Sequence, residues 1–139
     1  MVGIRKINLV SVYDVDSQMI LYRLLEERPA VASISHRSMP DWDEHVAFIT
    51  SMPYHVWCLI MNGAEAVGAI YLTQNDEIGV SIFEKHAGNG YAKAAIRRLM
   101  ETYPRRRYFA NINPDNAKSI RMFETLGFRH IQNTYELNA

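Results

Sequence analysis

The chain has little with which to staple itself. Its 139 residues include one cysteine, Cys58, so no internal disulfide can form. Cys58 sits in the apolar run Val56-Trp57-Cys58-Leu59-Ile60-Met61 and reads as a small buried hydrophobe, not a nucleophile. That run is far too short to cross a bilayer, and the amino terminus lacks the basic-then-apolar layout of a signal peptide. A cytoplasmic protein with no membrane partner is expected. Internal repeats, low-complexity tracts and Gly/Ser linkers are missing too, so one domain over residues 1–139 is the economical reading. Net charge is absent at pH 7, and the run Arg105-Arg106-Arg107 has no interleaved aromatics beyond Tyr108. No nucleic-acid partner is expected.

What is present is ordinary in amount and uneven in placement. Hydrophobic residues at 48% and charged residues at 22% suit one well-filled core and argue against disorder. Residues 1–82 hold five basic against ten acidic side chains, whereas residues 83–139 hold ten against five. This field suits a polyanion on the later half and an amine near the earlier half; chance placement of solvated charges explains it equally well.

Periodicity gives an alternating order of elements. Gly3 to Val12 reads as a strand, and Asp14 or Asp16 caps a helix running to about Arg28. Pro40 opens a second helix with Trp42, His45, Val46 and Ile49 on one face. Strands at His55–Met61 and Ala64–Thr73 flank the hairpin signal Asn62-Gly63, and Gln74-Asn75-Asp76 turns into a strand at Glu77–Phe83. A helix from the glycine turn to Pro104, a strand at Arg106–Asn111, a helix at Asp115–Leu126 stopped by Gly127, and short strands at 128–131 and 134–137 complete the order.

The most telling segment is Ile78-Gly79-Val80-Ser81-Ile82-Phe83 followed by Ala87-Gly88-Asn89-Gly90-Tyr91-Ala92. A β-branched run feeds a glycine-rich turn that opens straight into an amphipathic helix. The first N–H groups of such a helix lack intrahelical partners and, with the dipole behind them, form a phosphate site. Hairpins precede the turn and no acidic residue ends the next strand, which excludes a Rossmann domain.

The element order, this turn, and the segment Asn116-Ala117-Lys118-Ser119-Ile120-Arg121-Met122-Phe123-Glu124-Thr125-Leu126-Gly127-Phe128 resemble the GNAT superfamily of N-acetyltransferases. The resemblance implies a mixed α/β sheet of about seven strands, splayed between the fourth and fifth and flanked by about four helices. It implies acetyl-CoA as co-substrate and no metal. The backbone of Ala87, Gly88, Asn89, Gly90, Tyr91 and Ala92 would hold the pyrophosphate. Ile82 and Phe83 would lie along the pantetheine, with Asn116 and Phe123 also on the cofactor. Two departures from the family pattern stand out. Ala87 occupies a position usually held by Arg or Gln, leaving Lys93, Arg97, His86 and Lys118 as candidate phosphate cations. Phe123 replaces the tyrosine that often protonates the departing thiolate, which passes that role to water, Tyr91, Tyr108 or Ser119. The arginine run at 105–107 then reads as a solvated turn face or a distant phosphate contact.

Acetyl transfer to an amine needs a base, because an amine of pKa ~10 is mostly protonated at pH 7. Glu77, at the start of the strand before the turn, is the first candidate; burial there would raise its pKa. His45 is the second. It lies in a stretch with His36, Asp41, Asp43 and Glu44 that, by resemblance, lines the acceptor pocket. The spacing of that cluster fits no zinc pattern. The expected reaction is acetylation of a primary amine on a small molecule, such as an amino sugar. The alternatives are a protein amine as acceptor, or a CoA-binding module without turnover. Edge pairing of the final strands would allow a homodimer.

Overall fold

Four antiparallel strands in chain order, β1 (Ile7–Ser11), β2 (Val56–Asn62), β3 (Glu65–Leu72) and β4 (Ile78–Ile82), make the sheet. They belong to a computed structural model that describes residues 7–28 and 38–139. The first residues of the predicted Gly3–Val12 strand, and His36, lie outside the described residues. Helices α1 (Gln18–Glu27) and α2 (Trp42–Thr50) connect β1 to β2, and α3 (Tyr91–Thr102) and α4 (Ala117–Thr125) follow β4.

The sheet sorts side chains by the alternation of its strands. One face carries Val56, Cys58, Ile60, Ile70, Leu72 and Ile78 and packs on Ala95, Ile96 and Leu99 of α3 and Phe123 of α4. The other carries Trp57, Leu59 and Ala69, with Phe83 beside them, and packs on Leu21 and Leu24 of α1 and Ile49 of α2. The β2–β3 hairpin turns at Gly63, whose φ of +63° suits glycine. Within it Ile60 faces Gly68 while Met61 faces Ala66, leaving Val67 as a bulge. Gly68 must stay small, since a Cβ there would come 2.2 Å from the Ser81 carbonyl oxygen.

Several expected details are corrected. The sheet has four strands, not about seven, and its mixed character is one parallel bridge, Glu77 to Phe109, in place of a strand at 106–111. The expected strands at 128–131 and 134–137 are absent: beyond Phe128 the chain is irregular and exposed. Phe128 packs edge-on to Phe123, but the polar residues after it interrupt the apolar alternation, and His130 Nε2 makes a local bond to the Gln132 carbonyl. The edge invoked for a homodimer is therefore not built. α1 is capped by Ser17, not Asp14 or Asp16, and the Ser17 hydroxyl donates back to the Val12 carbonyl at 2.7 Å. Pro40 precedes α2, whose cap is Asp41 in a reciprocal capping box with Glu44.

Candidate active site

β4 is paired on both sides at one end only. The Ile78 N–H donates to the Phe109 carbonyl at 2.8 Å, and the Phe109 N–H donates to the Asp76 carbonyl at 2.8 Å. Beyond this bridge Gly79–Ile82 have no backbone partner on that side among the described residues. Outward and inward groups alternate along an antiparallel strand, so Val80 and Ile82 turn their N–H and C=O toward the open edge, as Ile78 does. Phe83 does not: its N–H is bound to the Val67 carbonyl at 2.9 Å and its carbonyl accepts from His86. Of the two residues expected along the pantetheine, Ile82 keeps free backbone groups and Phe83 has its amide committed.

After β4 a 3₁₀ turn at Glu84–His86 leads into the glycine turn. Gly88 and Gly90 both take φ +79°, and Gly90 caps α3 without a side-chain hydrogen bond. The first amide of this helix with a backbone acceptor is that of Ala94, bound to the Gly90 carbonyl. Among the described residues, the amides of Gly88, Asn89, Gly90, Tyr91, Ala92 and Lys93 have no hydrogen-bond acceptor. These are unpaired donors at the positive end of a twelve-residue helix. The turn is tied down from behind. Glu65 binds His86 Nε2 at 3.1 Å and Lys85 Nζ at 3.4 Å, and the His86 hydrogen bond holds the Glu65 carboxyl below the usual range. Asn89 donates to the His86 carbonyl, and Asn62 donates to the Tyr91 hydroxyl at 2.9 Å.

Glu77 stands at the opposite end of β4. Its carboxylate accepts from Thr73 Oγ1 at 3.1 Å and from Asn111 Nδ2 at 2.8 Å, which joins the two parting segments just past their bridge. The turn before it places Asp76 at φ +65°, and Arg105 holds Asp76 at 3.0 Å. Glu77, Gly79 and Ser81 share the face that looks toward α1 and α2. Gly79 has no side chain because Tyr71 lies across it: a Cβ there would come within 2.1–2.4 Å of the outer end of the Tyr71 ring. Burial pushes the Tyr71 hydroxyl above its ordinary pKa, and the nearby Glu77 charge adds to the effect. Five residues of β4 span roughly 16 Å at 3.3 Å per residue. A ligand anchored at the glycine turn therefore needs an extended arm of that order to bring a reacting group to Glu77.

The other expected site residues have different surroundings. His45 is 2% exposed, and its Nε2–H donates to the Gln18 carbonyl at 2.8 Å while its ring packs on Tyr22 and Trp42. It joins α1 to α2. Asp41 and Glu44 are occupied by each other's backbone as the α2 cap. Asn116 caps α4 by accepting from the Ser119 N–H at 3.2 Å. Phe123 is a core ring. The Tyr108 hydroxyl accepts from the Arg105 N–H and donates toward the Tyr103 and Met100 carbonyls, which anchors the far end of α3. Of the arginine run, Arg105 is taken by Asp76 and Arg107 lies 4.6 Å over the Phe109 ring. Arg97 borders a surface hollow of ≈ 400 Å³ with Met100, Glu101 and Tyr108. Thr73, Asn111, Tyr71 and Glu65 were not expected. Only Tyr71 has a sequence signal, in Gly79, because a glycine inside a β-branched strand marks a close approach. Among the described residues no group of three His, Cys, Asp or Glu side chains is placed to hold a metal ion, and no helix is long and apolar enough to cross a membrane.

A parted sheet edge that runs from a carboxylate to an unpaired helix start is the arrangement on which the comparisons bear. A family profile for the acetyltransferase (GNAT) domain matches residues 8–129. The chain belongs to the GNAT acetyltransferase family. No curated protein sequence matches it. An acetyltransferase from Thermus thermophilus is similar over 95% of this chain and 92% of its own, with a TM-score of 0.75 and 20% identity. RimL, a ribosomal L7/L12 alpha-N-protein acetyltransferase in complex with coenzyme A, is similar over 86% of this chain and 77% of its own (TM-score 0.68, 17% identity). AAC(6')-Iy, in complex with the bisubstrate analog CoA-S-monomethyl-acetylneamine, is similar over 96% and 97% (TM-score 0.69, 17% identity). At these identities the solved structures establish a shared fold, and the GNAT assignment rests on the profile.

Proposed function

We propose that this GNAT domain is an acetyl-CoA-dependent N-acetyltransferase acting on a primary amine. The observation that carries the reading is the pairing of an open β4 edge with six unpaired amides at its end. The residues present fit the cosubstrate. The glycine turn offers donors to a diphosphate, and the outward groups of Val80 and Ile82 match an amide-bearing arm laid along the strand. Acetyl-CoA supplies an acetyl group on a thioester; transfer forms a C–N bond and breaks the C–S bond. Glu77 takes the proton of the acceptor ammonium, held for that task by Thr73 and Asn111. The outward Val80 N–H, the unpaired β4 donor nearer Glu77, polarises the thioester carbonyl, a role that side-chain substitution leaves intact. His45, with its Nε2 bound to the Gln18 carbonyl, keeps α1 and α2 in register beside that face.

Thiol release from acetyl-CoA with a panel of amines tests the assignment. Release that depends on an added amine is expected. Coenzyme A binding without release on any amine would favour the second reading, a binding module, which draws on Phe123: a buried ring with no proton to give. The similar structures include one named for a protein acceptor and one bound to an aminoglycoside-derived analog, so small-molecule and protein amines both stay within the proposal.

A further inference from the structure

Five aromatic side chains touch in a continuous chain on the Glu77 face. Tyr71 and Tyr54 stack with centroids 4.0 Å apart and planes 5° apart, and Trp57 meets Tyr54 edge-on at 4.9 Å. Phe48 meets Tyr54 and Trp57 at 5.9 and 6.0 Å, and Tyr13 stands edge-on to Trp57 at 6.4 Å. Trp57 is buried, but Tyr13, Tyr54 and Tyr71 are half-buried and Phe48 is 45% exposed. Core packing alone does not call for rings left open to water. The opposite face of the same strands is filled by aliphatic side chains shut away completely, with Ile60, Ile70 and Leu72 at 0%.

The rings are also placed for use. Because Gly79 has no side chain, the hydroxyl end of Tyr71 lies over β4, on the face from which the Glu77 carboxylate projects at the head of the strand. An apolar ring on the acceptor would find aromatic side chains to pack on there.

We infer that the Tyr54–Tyr71 wall is the acceptor-binding surface and that it selects a primary amine borne on an aromatic body over a polyhydroxylated amino sugar. This rests on the acetyl-transfer reading above and narrows its substrate class. The wall holds the ring, which leaves the amine within reach of Glu77 at the mouth of the open edge.

The test compares 2-phenylethylamine, glucosamine and kanamycin as acceptors, with coenzyme A affinity measured separately by calorimetry. Expected is a kcat/KM for 2-phenylethylamine at least tenfold above either sugar. Tyr71→Leu should raise its KM tenfold or more while leaving kcat and coenzyme A affinity near the parent values, and Tyr71→Phe, which keeps the ring, should restore the KM. Gly79→Ala should mimic Tyr71→Leu by displacing the ring. Coenzyme A binding with equal or better turnover of a sugar, or with no turnover of 2-phenylethylamine, would overturn the inference and leave the acetyl-transfer reading standing. Absence of coenzyme A binding would overturn both. The wild-type comparison decides the matter even if a variant fails to fold.

Discussion

The two faces of one sheet differ in what they are made of and in what that composition permits. Toward α3 and α4 the strands present mainly aliphatic side chains, with Ile60, Ile70 and Leu72 at 0% exposure, packed on Ile96 and Leu99, which are equally closed. Toward α1 and α2 they present rings, a glycine and a bound carboxylate, several of them open to water. Both faces bury apolar area and contribute stability, but the second also leaves surface unburied that could have been filled. Under the proposed function the same strands serve as scaffold on one side and as working surface on the other. β4 is where the two meet, because Val80 and Ile82 face the core while their backbone groups face the gap.

Substitutions on the two faces should therefore fail differently. The largest effect expected is on rate: Glu77→Gln should lower turnover by about 10²–10⁴-fold with coenzyme A affinity and unfolding midpoint little changed. Thiol-release kinetics across pH check this, and turnover equal to the parent at every pH would remove Glu77 from the mechanism. Next comes stability. Leu99→Ala on the closed face should cost about 2–5 kcal/mol in urea unfolding, and Phe123→Ala about 3–5 kcal/mol. Retained stability with lost activity at Phe123 would make it a ligand contact and blur the division of labour. The smallest effect is an expected silence. Burial, with a lesser push from the Asp14 charge, raises the Cys58 thiol to about 11. At pH 8 only about one thiol in a thousand is ionised. Iodoacetamide should leave the folded protein unlabelled, and rapid labelling at pH 8 would show that the core face opens.

Much of the scaffold was legible because it rests on local signals. Asn62-Gly63 turns the β2–β3 hairpin, and Gly127, at φ +100°, follows the end of α4. The glycine turn opens α3 where its pattern said it would. Asp41 and Glu44 carry a capping box in plain view, the i to i+3 spacing by which each satisfies the other's backbone. The last strands failed for the opposite reason: alternation over a few residues signals a strand only when a face waits to receive it, and Ile131, Tyr135 and Leu137 meet none. Glu77 could be picked out from its place on the strand, but its partner Asn111 lies 34 residues away. The aromatic wall was hidden for a similar reason: Tyr54 and Tyr71 come together only through tertiary packing.

The central claim is that the unpaired β4 edge and the start of α3 grip coenzyme A. An amide-resolved NMR titration of the intact protein with coenzyme A tests it most directly. The account predicts saturable shifts concentrated at Val80, Ile82 and Gly88 to Lys93, with the Phe83 amide, already bound to Val67, moving far less. No saturable shift at millimolar coenzyme A, or shifts centred on α1 and α2 instead, would contradict it.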